Sequence, residues 1–131
     1  MYLNQKTIIK LNNINEAEAT IKNTNISKLP NNIIIKKSKY GLGCFAKNNI
    51  PKNTILGLAF RGNTPSTTKR TELGANTNHS CTPNAKLVYK KDSKGITEIY
   101  FKSTKNIKKG EEILINYNEF KFEGKRDFAK C

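Results

Sequence analysis

The chain has 131 residues, 36% of them hydrophobic, which is enough for one domain with one modest core. Its longest apolar runs, such as Ile33-Ile34-Ile35, fall far short of the ~20 residues that a helix needs to cross a bilayer. The start MYLNQKTIIK has no long apolar stretch of the kind a secretory signal carries, so no membrane partner is expected. Three cysteines, scattered at positions 44, 81 and 131, do not read as a disulfide framework. They point to a reducing, intracellular setting such as the cytoplasm or nucleus of a host cell.

The net charge is +14, and lysine supplies 21 of the 24 basic residues. Lys, Asn and Ile together fill about two fifths of the chain, so coding bias and a solvated surface account for part of this excess. The other reading is attraction to a polyanion such as nucleic acid. The acids are unevenly placed: five of the ten lie in residues 110–131, where they outnumber the four basic groups.

In chain order, residues 1–32 form an Asn-rich extension that closes on the turn-like Leu29-Pro30-Asn31-Asn32. A strand is expected near residues 2–11 and a short helix over residues 15–22, with Asn15 as its N-cap. From Ile33 the pattern turns to strands. IIIKKS is β-like, and GLGCFA and ILGLAF are separated by a turn at residues 48–53 that contains Pro51. Residues 61–77 are polar without a strong period. Residues 85–89 and 96–101 read as a hairpin around Asp92-Ser93-Lys94-Gly95. A turn at residues 106–110 then leads into EEILINY, read as one more strand. The expected fold class is mostly β with little helix.

The densest chemistry lies in NHSCTPN, residues 78–84, which holds the only histidine. Walker and GxGxxG loops are missing from the sequence. His79 and Ser80 are too close in sequence for an obvious base and nucleophile pair. A zinc site would have to gather Cys44, Cys81 and Cys131 around His79 without a CxxC pair, so no metal is expected.

Three segments taken together are distinctive: KSKYGLGCFA at 37–46, NHSCTPN at 78–84 and KGEEILINY at 109–117. In this order they resemble the SET domain of protein lysine methyltransferases, whose pattern is GxGxFA, NHSCxPN and GEExxxxY. The resemblance spans about residues 33–122, and the size and the EILINY ending look most like small stand-alone viral SET proteins. It implies a β-clip fold over residues 33–131, with a knot-like C-terminal crossing beside an S-adenosylmethionine pocket. It also implies that Asn78, His79 and the backbone of Leu42, Gly43 and Cys44 hold the cofactor, and that Phe122 covers its adenine. Tyr117 would be the catalytic hydroxyl that aligns methyl donor and amine. Ile115, Tyr117 and Phe120 would line the substrate-lysine channel. With Ile115 where the family often carries Phe or Tyr, the channel should admit more than one methyl group. Glu111 and Glu112 read as salt-bridge or turn residues.

The pattern also departs from the family. Only Cys131 stands where many SET enzymes carry a zinc-binding cysteine cluster, and Phe60-Arg61-Gly62 replaces a YxG loosely. The implied partner is a protein with a lysine-rich tail such as a histone's, with contact to nucleosomal DNA. The small viral members suggest a homodimer. Two other classes stay open: a SET-like binding module without turnover, and a basic nucleic-acid-binding protein.

Overall fold

In the computed structural model, residues 29–39, 41–64, 66–120 and 131 are described. The strand and helix expected before residue 29 lie outside these residues, as does Phe122. Three small sheets share one core. Strand β1 (Ile33–Ser38) pairs antiparallel with β2 (Gly41–Ala46), with Ser38 opposite Gly41. Gly41 closes this hairpin with φ of +108°, a conformation that disfavours any side chain.

A four-stranded antiparallel sheet forms the body. β3 (Ile55–Arg61) lies between β4 (Lys69–Arg70) and β7 (Thr97–Ser103), and β6 (Ala85–Lys91) completes the order β4-β3-β7-β6. The hairpin read from residues 85–101 is β6–β7, with its turn at 92–95 held by Asp92 Oδ1, which accepts from Lys94 N (2.8 Å) and Ile96 N (3.0 Å). Asp92 also pairs with Arg61 at 2.6 Å, and Arg61 approaches Glu98 at 3.6 Å, which ties the hairpin tip to the end of β3.

The polar stretch 61–77 holds an element that its composition hides. After β4, Thr71 caps the short helix α1 (Glu72–Asn76), accepting from Gly74 N while its hydroxyl donates to Leu58 O at 2.6 Å. Leu73 and Gly74 are buried against β3, so close that a Cβ on Gly74 would strike the Ala59 carbonyl. A helix this short is not marked by periodicity. Burial of Leu73 and the cap hold it in place.

Thr77 ends α1 and leads into β5 (Asn78–His79), which pairs in parallel with β8 (Leu114–Ile115). The stretch EEILINY is therefore not one long strand. Glu112 forms a single antiparallel bridge with Phe45, Ile113 N donates to Cys44 O (2.8 Å), and Leu114 and Ile115 then pair with β5. Residues 112–115 run between β2 and β5, touching a different sheet on each side. Tyr117 begins a 3-10 helix (Tyr117–Glu119) rather than ending a strand, because Asn116 caps that turn by accepting from Asn118 N.

The core gathers Phe60, Phe101 and Phe120, all fully buried, with Ile99, Ile107, Ile113 and Ile115. Phe60 meets Phe120 edge-on at 5.4 Å and Phe101 at 6.3 Å, spacings that favour aromatic pairing. Leu29 packs on the same core.

Candidate functional site

NHSCTPN folds as a set of hydrogen bonds that fasten residues 112–117 in place. Asn84 accepts from Leu114 N at 2.9 Å and donates to Glu112 O at 2.8 Å. Its own N–H donates to Leu114 O, and Ser80 N donates to Ile115 O. Within the motif, Ser80 Oγ accepts from Thr82 N (3.0 Å), which turns the chain ahead of Pro83. His79 Nδ1 accepts from Tyr117 N at 2.9 Å, so this nitrogen carries no proton. Partial burial lowers the imidazole pKa below its ordinary value, in keeping with a neutral ring used as an acceptor.

Asn78 is the point where the three segments meet. Its amide Nδ2 donates to Glu112 Oε2 (2.8 Å), Leu42 O (3.0 Å) and Ser38 Oγ (3.1 Å). With two protons for three acceptors, one proton is shared. Gly43 lies beneath them: a Cβ there would stand 2.5 Å from Glu112 Oε2 and 3.1 Å from Asn78 Nδ2. Bare backbone is what lets the carboxylate and the amide approach this closely.

Tyr117 stands on the other side of His79, its ring 5.2 Å away. Its hydroxyl donates to Thr77 O at 2.7 Å. Burial pushes its pKa up to about 12, and the charges of Cys44 and Glu112 add to the rise. The phenol is thus neutral at physiological pH and acts as a hydrogen-bonding dipole, not as a base. Cys44, fully buried beside it, is raised to about 11 by burial, so it remains a thiol.

The expected site residues thus occupy distinct settings. Asn78, His79 and Tyr117 are half-buried, Gly43 and Cys44 are buried, and Leu42 is exposed at 56% with its carbonyl on Asn78. Ile115 and Phe120 are fully buried in the core, Phe120 6.1 Å from the Tyr117 ring. Glu112 was read as a salt-bridge or turn residue, and the fold places it otherwise. Glu111 is the turn residue, accepting from Lys108 N (2.6 Å), whereas Glu112 reaches Asn78.

The cysteines also differ from expectation. Cys81 is joined to Cys131 across 50 residues of sequence, with Cα atoms 5.3 Å apart, and Cys44 is the free thiol. Count and spacing do not reveal this pair because only the fold brings the two together. His79, Cys81 and Cys131 offer three metal-ligand atoms within 4.8 Å, but two of them are bonded to each other here. Cys44 does not join the group, unlike the set a sequence-based zinc site would need.

The family profile for the SET domain matches residues 60–118. No match was found among curated proteins. Among solved structures, a Plasmodium falciparum protein provisionally named a histone methyltransferase aligns with 28% identity and a TM-score of 0.56, over 68% of this chain and 95% of its own. An apo Chaetomium thermophilum Polycomb Repressive Complex 2 carrying mutations in Ezh2 aligns with 18% identity and a TM-score of 0.55. An inhibitor-bound form of that complex aligns at 0.51 and 18%. These last two matches cover 68% of this chain but 15% of theirs. Nothing in these neighbours supports a viral subgroup. With its three sheets, the passage of residues 112–115 between β2 and β5, and the profile over its centre, the chain has the SET-domain fold.

Proposed function

We propose that the protein is an S-adenosylmethionine-dependent protein lysine methyltransferase. The observation that carries this reading is the convergence on Asn78, whose amide links the Gly43 backbone segment to Glu112 next to a neutral Tyr117. The site suits the donor chemically. It offers an amide and a carboxylate whose negative charge matches a cationic ligand. The donor supplies a methyl group activated on a sulfonium. Leu42, Gly43, Cys44, Asn78 and His79 would hold it, and Phe122 would cover its adenine.

The role of Tyr117 follows from its surroundings. A phenol that stays neutral neither repels a neutral amine nor takes its proton, and can hold that amine in line by hydrogen bonding. Its hydroxyl already points at the Thr77 carbonyl, and a carbonyl is the other dipole that a polarised methyl or amine would meet. Deprotonation of the substrate amine is left to water, since His79 uses its free lone pair on Tyr117 N. Ile115 would leave a channel with no hydroxyl to restrain the amine, hence more than one methyl transfer.

The partner in this reading is a lysine-rich protein tail such as a histone's, met inside a cell. Nucleosomal DNA would contact a basic face. Turns 49–51 and 106–108 enclose a groove of about 290 Å³, flanked by the exposed Lys47, Lys52, Lys105, Lys108 and Lys109. Its lining residues are outside the site above.

Transfer of labelled methyl groups to histones tests the proposal. Tyr117→Phe should remain folded and lose roughly 100-fold or more in kcat, as loss of a key transition-state hydrogen bond does elsewhere. Nucleosomes should outperform a free tail peptide at low salt and lose that advantage at high salt. Wild-type protein that binds the donor but transfers nothing would favour a binding module instead. The bonds from Asn78 and Tyr117 to protein acceptors are the observation on that side.

A further inference from the structure

Glu112 is the acid that reaches Asn78, and its surroundings are unusual in so basic a chain. It is half-buried, yet among the described residues the ion pairs within 4.0 Å all belong to Arg61. Neighbouring Glu111 is exposed and occupied by a turn, and Asp92 and Glu98 share Arg61. Among the described residues Glu112 has no such cation, although the sequence is strongly basic. Its Oε2 instead receives a single amide proton from Asn78, against the buried backbone of Gly43. Taking a carboxylate out of water without a positive partner is costly. A place that keeps one suits a cation delivered by the ligand.

Two positive groups of the donor could meet it, the sulfonium and the α-ammonium of the amino-acid end. The ammonium has three N–H donors and forms short charge-assisted bonds to carboxylates, whereas a sulfonium has no proton to give. Glu112 already shows hydrogen-bonding geometry to a nitrogen donor at 2.8 Å. We infer that Glu112 is a binding residue for the donor's α-ammonium, and that Asn78 holds its carboxylate in position for that contact. This rests on the proposed use of S-adenosylmethionine.

Calorimetry on the full chain with three probes tests it. S-adenosylhomocysteine keeps the ammonium but has a neutral sulfur, and 5′-methylthioadenosine lacks the amino-acid end. For Glu112→Gln, whose amide can still accept from Asn78, S-adenosylmethionine and S-adenosylhomocysteine should both weaken by roughly 10- to 100-fold, the scale of a hydrogen bond to a charged group. Binding of 5′-methylthioadenosine should stay unchanged. Glu112→Asp keeps the charge on a shorter arm and should give a smaller loss in the same pattern, which carries the test should the glutamine variant not fold. Unchanged affinity for S-adenosylhomocysteine in Glu112→Gln overturns the inference. So does a loss confined to S-adenosylmethionine, which would place the carboxylate at the sulfur, or an equal loss of 5′-methylthioadenosine, which would make the role structural. Wild-type protein that binds none of the three overturns the proposed function itself.

Discussion

His79 shows how the fold can use a histidine without proton transfer. The Nδ1 lone pair accepts from Tyr117 N, and partial burial lowers the imidazole pKa. In the unfolded chain the same ring titrates near its ordinary value of about 6.5. The folded state therefore binds fewer protons, and stability must fall as pH drops below that value and through the lower folded pKa. Thermal melts from pH 7.5 to 5 should show this decline. His79→Asn, which keeps an acceptor near Tyr117 N and removes the titration, should show a flatter profile. Equal slopes for the two proteins would remove His79 from the account. Asn78, His79 and Tyr117 could be singled out from the motifs alone. Glu112 could not, because a Gly-Glu-Glu turn offers two similar acids and only the path of residues 112–115 decides which one points at Asn78.

At the scale of elements, β5 and β8 are two residues each and could not persist as isolated strands. Side chains stand in for the missing ladder. Asn84 supplies two of the bonds, at 2.8 and 2.9 Å, to the backbone of Glu112 and Leu114. Asn84→Ala leaves that N–H and C=O without their partner, which should cost about 1–3 kcal/mol in chemical denaturation. Asn84→Asp retains only the acceptor and should fall between. An alanine variant as stable as wild type would show that β8 is held without this side chain, by its backbone bonds and the packing of Ile113 and Ile115. Packing is the other support, and it reaches the site through Phe120. That ring fills the core between Phe60 and Tyr117, so Phe120→Ala should cost about 3–5 kcal/mol of stability. The hairpin β6–β7 was legible in advance because alternation and an Asp-Ser-Lys-Gly turn agree. Helix α1 was not, since five residues carry too little periodicity and it depends on Thr71 and a buried Leu73.

Across the whole molecule, the link from Cys81 to Cys131 closes a loop of 50 residues and fastens the position after the described core beside His79. Alkylation of the denatured protein should label one thiol per chain, Cys44, before reduction and all three cysteines afterwards. Three labelled thiols without reductant would show the pair to be open in solution.

What the sequence determined by itself is the class of fold, the turns and the three motifs, because each of these is a local pattern: alternation, Gly, Asn and Pro at bends, and a dense run of polar residues. Tertiary structure alone decided which distant residues share the site. Residues 112–115 meet β2 on one side and β5 on the other, which sets Glu112 against Asn78 and Gly43, and Cys81 is joined to Cys131. Proximity between residues 30 to 70 positions apart is fixed by burial of a shared core, and no local pattern encodes it.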